Sequence, residues 1–255
     1  MSVRTFRFLN VDIQNVTFND FLHSLEKGVV VTPNVDHLIK LQKDREFYAC
    51  YQAADHIVCD SKILQKLSKF LDKDNPIVEQ IAGSDLFPAF CNHHKQRAGQ
   101  VRIFLLGGTE DSVQVARENI NRRCGAELVV GAYSPPFGFE QDPAANEDIL
   151  TRIQSSSANV LAVGLGAPKQ ELWITRYRPQ LPDVDLFFAI GATIEFEAGG
   201  VQRAPGWMTR LGIEWLFRLV QEPRRLIKRY LVDDIAIFWL TLKQKLGWYK
   251  NPWAD

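Results

Sequence analysis

Short β-branched and apolar runs recur through the first 190 residues, separated by stretches with helical spacing, and this alternation limits the fold more than any other feature. The runs Val29–Thr32, His56–Cys59, Val101–Leu106, Glu127–Val130, Val160–Val163 and Leu186–Ile190 predict strands. Between them, Thr17–Glu26, Val35–Ala54, Ser61–Leu71, Ser84–Arg97, Ser112–Arg123, Ala144–Ser156 and Lys169–Arg178 predict helices. VRIFLL and VLAVG are almost wholly apolar, as strands buried on both faces must be. The expected class is α/β, a largely parallel sheet with helices on both faces.

The pattern breaks near Gly199. Beyond it no strand signal recurs, and Pro205–Val220 and Arg224–Leu246 predict two helices separated by Pro223. The division expected is a catalytic-type domain over residues 1–199 and a helical appendage over 200–255. Net charge is zero over the chain, but residues 201–255 hold ten Lys or Arg against five acids. The appendage also holds five of the six tryptophans, Trp207, Trp215, Trp239, Trp248 and Trp253. Tryptophan with Lys and Arg on amphipathic helices suits an anionic membrane surface; a helical pair packed on the sheet is the alternative. No nucleic-acid partner is expected.

Cys50, Cys59, Cys91 and Cys124 lack CxxC spacing and read as buried, reduced thiols. MSVRTFRFLN is too short and mixed for a targeting signal. The longest apolar run, near Ile235–Leu242, is roughly half of the ~20 residues a spanning helix needs. A cytoplasmic protein, peripheral at the inner face of the membrane, is the expectation.

In open parallel sheets, ligands bind beyond the carboxyl ends of the strands. The first such end is Thr32-Pro33-Asn34-Val35-Asp36-His37, where Asn34 or Asp36 could equally cap the next helix. The second is Cys59-Asp60-Ser61. A carboxylate leaving a buried strand suits general-base chemistry, and capping the following helix is the competing reading. Gly107-Gly108, Gly164-Leu165-Gly166 followed by Lys169-Gln170-Glu171, and Gly191 end three further strands. Glycines there let a phosphate reach backbone N–H groups at a helix start. None completes GxGxxG or a P-loop, so a nicotinamide or ATP site is disfavoured and no cofactor is expected. Asp183-Val184-Asp185 mimics a metal-binding DxD but precedes a strand, so no metal site is expected. His93-His94 reads as a solvated face, and no GxSxG elbow occurs.

Thr32–Asn34, Asp60, GSDLF at Gly83–Phe87, LLGG at Leu105–Gly108, GLGAPKQE at Gly164–Glu171, and RAPGW followed by EWLFRL and EPRR occur in one order. In that order they resemble the WecG/TagA/CpsF glycosyltransferases, family 26, over about Val29 to Asp234. The resemblance implies a Rossmann-like domain with a C-terminal appendage. It further implies transfer of a sugar from a UDP-linked donor to a polyprenyl-diphosphate-linked (undecaprenyl) saccharide, with inversion and without a bound metal, in surface polysaccharide synthesis. Asp60 falls on the family's base; Thr32, Asn34 and Gln170 fall on pocket residues, and Tyr133 on a nucleotide contact. Gly83, Ser84 and Asp85 carry the GSD motif assigned to the acceptor side. Arg218, Arg224, Arg225 and Arg229 match appendage arginines that neutralise diphosphate charge, with Lys169 and Arg203 as further cations. Relatives form dimers or trimers, which makes a homo-oligomer a candidate assembly.

Two positions depart from the family pattern. Cys59-Asp60-Ser61 stands where many relatives have Pro-Asp-Gly, and Gln80 stands where many have Arg. A neutral hexose donor fits this chain at least as well as an N-acetylmannosamine donor. A non-catalytic nucleotide-sugar-binding subunit is the rival reading.

Overall fold

The computed structural model describes residues 4–200, 204, 205, 208, 214–221, 223–228 and 234–254. Its centre is a six-stranded sheet built from β3 (Gly28–Val31), β4 (His56–Ile57), β5 (Ile103–Gly107), β6 (Val129–Tyr133), β7 (Val160–Gly164) and β8 (Leu186–Ala189). The strands lie in the order β4-β3-β8-β7-β5-β6, and every pairing is parallel. All six carboxyl ends therefore emerge at one edge, which is what gathers motifs scattered over 160 residues. The Rossmann-like α/β class expected from the alternation is the one observed.

Successive strand residues face opposite sides, and each side has its own core. Val29, Val31, Phe104, Leu106, Leu161, Val163 and Phe187 pack on one face, with α2 (Val35–Lys40), α3 (Arg45–Ala53), α4 (Lys62–Leu71), α7 (Pro143–Ser155) and α8 (Lys169–Tyr177). Val30, Ile103, Leu105, Val160, Ala162, Leu186 and Phe188 pack on the other. They meet α1 (Phe18–Ser24), α5 (Gly83–His93), α6 (Glu110–Cys124) and α9 (Thr193–Ala198). The helices after β3 and β7 thus cover one face, and those after β5 and β8 cover the other. Where adjacent strands send their helices opposite ways, the carboxyl edge opens into a crevice.

Several boundaries differ from the sequence expectation for local reasons. A hairpin, β1 (Thr5–Phe8) with β2 (Val11–Gln14), precedes the domain. Its turn lacks Asn-Gly or Asp-Gly and instead holds Leu9 at φ 51°, a left-handed conformation unusual for leucine. The span 35–54 is two helices because Asp44 caps the second, accepting from Phe47 N–H at 2.9 Å. The strand expected from Glu127 starts at Val129, since Asn121 Oδ1 takes the N–H groups of Leu128 and Val129 at 3.0 and 2.8 Å. β4 has only two ladder residues, so Asp60 follows the strand at a distance of three rather than one.

Beyond residue 200 the described residues form helices over Glu214–Gln221, Pro223–Lys228 and Ala236–Lys245. The last returns to the body. Its Ile237 joins the first core, and Leu240 and Tyr249 pack beside it. Gln244 Oε1 accepts from Leu9 N–H at 2.8 Å while its Nε2 donates to Arg7 O at 2.8 Å, so this helix holds the strained hairpin turn. Trp253 Nε1 donates to Leu41 O at 2.7 Å. Among the described residues, no helix is long and apolar enough to cross a membrane.

Candidate active site

Three segments meet where β3 and β4 end. The Asp60 N–H donates to Pro33 O at 3.0 Å, joining the two strand ends directly. Residues 80–83 lie against the same corner: Ile81 N–H donates to Cys59 O at 2.7 Å, and Gln80 Nε2 donates to Asp60 O at 2.9 Å. A methyl group at Gly83 would stand 3.3 Å from Thr32 Oγ1 and 3.9 Å from Ile190 Cα. Thr32, Asp60 and the GSD turn therefore line one corner of the crevice.

The competing cap readings separate cleanly. Asn34 is the cap of α2, its Oδ1 accepting from His37 N–H at 3.2 Å. Asp60 is not the cap of α4: Ser61 is, accepting from Leu64 N–H at 3.3 Å, which leaves Asp60 one residue outside the helix and half-buried. Beside it Cys59 is buried, and burial pushes its thiol up to about 12, so it stays a protonated neighbour.

The glycine-rich ends interlock in the middle of the edge. Gly107 has φ +124°, and a side chain there would strike the Gly164 carbonyl. A side chain on Gly164 would lie 2.7 Å from Gly191 O. Gly108 N–H donates to Gly164 O at 3.3 Å, and Ser134 Oγ donates to Gly108 O at 2.7 Å. Close backbone approach between strand ends accounts for Gly107 and Gly164 without a ligand. Gly166 and Gly191, with φ +77° and +52°, face open space among the described residues.

Gln170 is only 3% exposed, and both ends of its amide are engaged: Oε1 accepts from Gly191 N–H at 2.9 Å, and Nε2 donates to Glu171 Oε1 at 2.8 Å. Lys169 is exposed, ion-paired with Glu140, with its Nζ 5.6 Å from the ring centre of Phe137. Tyr133 ends the far edge strand, its ring under the Arg152 guanidinium at 4.4 Å, and burial raises its phenol. Five strand spacings of ~4.8 Å separate β4 from β6, which puts Asp60 and Tyr133 about 24 Å apart along the edge. The site residues thus form two groups, Thr32, Asp60 and Gly83 at one end and Gly107, Gly108 and Tyr133 at the other. Gly164, Gln170 and Gly191 join them.

Ser84 and Asp85 occupy the first turn of α5. Arg218 lies in the helix Glu214–Gln221, and Arg224 and Arg225 lie in Pro223–Lys228. Arg203 and Arg229 lie outside the described residues.

Sequence reasoning passed over a buried polar group behind Thr32. Asp36 and His37 are buried on α2, and Lys40 Nζ binds Asp36 Oδ2 at 2.8 Å and Ala167 O at 3.3 Å. His37 Nδ1 lies 2.7 Å from the hydroxyl of the buried Tyr51. Glu171 is 1% exposed, and burial pushes its carboxyl up to about 7. Charged residues set among Val35, Leu38 and Ile39 on a six-residue helix were the available signal. One expectation is corrected: His94 is not on a solvated face but buried on Phe90, ring centres 4.4 Å apart, and burial lowers it to about 4. Asp183 and Asp185 lie at the amino edge, where Asp185 pairs with Lys27 at 3.1 Å. Among the described residues, no group of three or more His, Cys, Asp or Glu could hold a metal ion.

A six-stranded parallel sheet covered by helices on both faces, with a polar corner at its carboxyl edge, defines a Rossmann-like α/β protein. The chain matches the Glycosyl transferase WecG/TagA/CpsF family over residues 6–251 and belongs to that family. It is a glycosyltransferase of cell-surface polysaccharide synthesis, with a sugar donor and a lipid-linked acceptor as its general substrates.

Proposed function

We propose that the chain transfers a hexose-type sugar from a UDP-sugar to a polyprenyl-diphosphate-linked saccharide, with inversion and with Asp60 as general base. The contact of Asp60 N–H with Pro33 O supports this reading, because it ties the Asp60 backbone to the strand end that bears Thr32, with Asp60 outside the helix cap. In-line displacement needs the base on the acceptor hydroxyl and the UDP diphosphate leaving on the opposite side. We assign the open backbone at Gly166 and Gly191, with Lys169, to the donor side. Helix amino termini and the cations Arg203, Arg218, Arg224, Arg225 and Arg229 would take up the charge of the leaving diphosphate in place of a metal.

The membrane-surface role of residues 200–255 is supported by the helix Ala236–Lys245. It is apolar on both sides: Ile237 and Leu240 pack inward, while Phe238, Trp239, Leu242 and, just beyond it, Leu246 and Trp248 are exposed. Lys243 and Lys245 reach over Trp239 and Phe70 at 5.3 and 5.9 Å, cations at the border of an apolar face. Docking there would place the enzyme at the inner membrane face, beside its lipid acceptor. A UDP-release screen across UDP-glucose, UDP-N-acetylglucosamine, UDP-N-acetylmannosamine and UDP-uronic acids, with a polyprenyl diphosphate sugar as acceptor, tests the reading. Release with one hexose donor, dependent on acceptor, supports it. No release with any donor would favour a binding subunit.

A further inference from the structure

Between the two halves of the edge, the turn after β8 hangs on a relay of two side chains. Gly191 N–H donates to Gln170 Oε1 at 2.9 Å, and Gln170 Nε2 donates to Glu171 Oε1 at 2.8 Å. An amide offers an acceptor at one end and a donor at the other, so only one orientation serves both contacts. Flipping Gln170 would set its NH2 against the Gly191 N–H and its oxygen against the Glu171 carboxyl.

The turn being held matters for the crevice. Gly191 faces open space, its neighbour Ile190 lies against Gly83, and its carbonyl sits where Gly164 must lack a side chain. The adjacent pair Ile190-Gly191 therefore touches the corner that holds Thr32 and the strand end that holds Gly164. Glu171 is an expensive choice for an anchor. Its second oxygen, Oε2, is buried without a hydrogen-bond partner among the described residues, and the groups around it are Asp36 and Lys40 from α2 and Cys50 and Tyr51 from α3. An apolar side chain would fill that site at lower cost. The retention of a half-satisfied carboxyl needs a reason other than packing.

We propose that Glu171 is a positioning residue of the transferase: its Oε1 locks the amide of Gln170, which in turn holds the Gly191 turn in its crevice-lining shape. The catalytic consequence rests on the transferase reading, but the positioning itself does not. Two variants separate this from a space-filling role. Glu171→Leu keeps the volume and removes the acceptor; Glu171→Gln keeps an acceptor and removes the charge. Hydrogen exchange of the Gly191 amide reads the relay directly, whatever the chemistry of the protein. The expected result is exchange about tenfold faster at Gly191 in Glu171→Leu, the scale of one net hydrogen bond, with Leu186–Ala189 protection unchanged. In Glu171→Gln it should stay within about twofold of the parent. In the UDP-release assay kcat/KM for the donor should fall about tenfold for Leu and recover for Gln. Unchanged Gly191 exchange in Glu171→Leu overturns the proposal, as does equal loss in both variants. If the parent releases no UDP with any donor, the transferase reading fails while the exchange result still decides the relay.

Discussion

Replacing Glu171 by glutamine should stabilise the protein in a way that grows with pH. The carboxyl titrates near 7 in the folded chain, against 4.5 for an unperturbed side chain, and burial is the main cause. Between those values the folded state binds more protons than the unfolded state, so stability falls as pH rises through the window. The lowering is absent below pH 4.5 and complete above about 7. At about 1.36 kcal/mol per unit, the interval corresponds to about 3 kcal/mol. Glutamine has no proton to release and can still accept from Gln170. The variant should therefore match the parent near pH 4.5 and exceed it by up to about 3 kcal/mol at about pH 8. Urea unfolding at several pH values reads this out. With a slope of about 3 kcal/mol per molar, the midpoint should rise by about 1 M at about pH 8 with the slope unchanged. Parent and variant curves that run parallel from about pH 5 to 8 would refute the reasoning, because they would mean that Glu171 is charged in both states alike.

Other substitutions bear on different parts of the account. Gln80→Ala removes the hydrogen bond to Asp60 O and should lower kcat by about three- to tenfold with little change in the unfolding midpoint; steady-state kinetics beside thermal unfolding checks both. Gly164→Ala would place a methyl group 2.7 Å from Gly191 O and 2.8 Å from Ile194 Cδ1, and should cost about 1–3 kcal/mol in denaturant unfolding. The double change Phe238→Ser and Trp239→Ser should abolish sedimentation with anionic vesicles while leaving the fold intact by circular dichroism, since both side chains are exposed. Undiminished vesicle binding would remove that helix from the membrane contact.

The strand ends were legible because buried parallel strands leave long apolar runs, and the residues just after each run must sit at the carboxyl edge. Hence the sequence alone puts Thr32, Asp60, Gly107, Gly164 and Gly191 at that edge. Their contacts were not legible. The glycines at 107 and 164 look like phosphate-binding signals, yet contact between neighbouring strand ends, set by sheet order, already requires them. Gln80 looked like the loss of a cation, while the fold gives its amide a backbone carbonyl to hold. The hairpin at Thr5–Gln14 carries no local turn signal, because its turn conformation is held by Gln244, 235 residues from Leu9. Likewise, no local pattern says that the Gln170 amide is fixed by its neighbour and a turn 21 residues away.

The central claim is that Asp60 is the base of a glycosyl transfer. Asp60→Asn keeps the size of the side chain and the backbone contacts with Pro33 and Gln80, so it isolates the carboxylate. UDP release with the active donor, measured alongside calorimetric UDP binding, tests it most directly. The account predicts a fall in kcat of about a hundred- to ten-thousandfold with UDP affinity within about threefold of the parent. Transfer within about tenfold of the parent rate would contradict it.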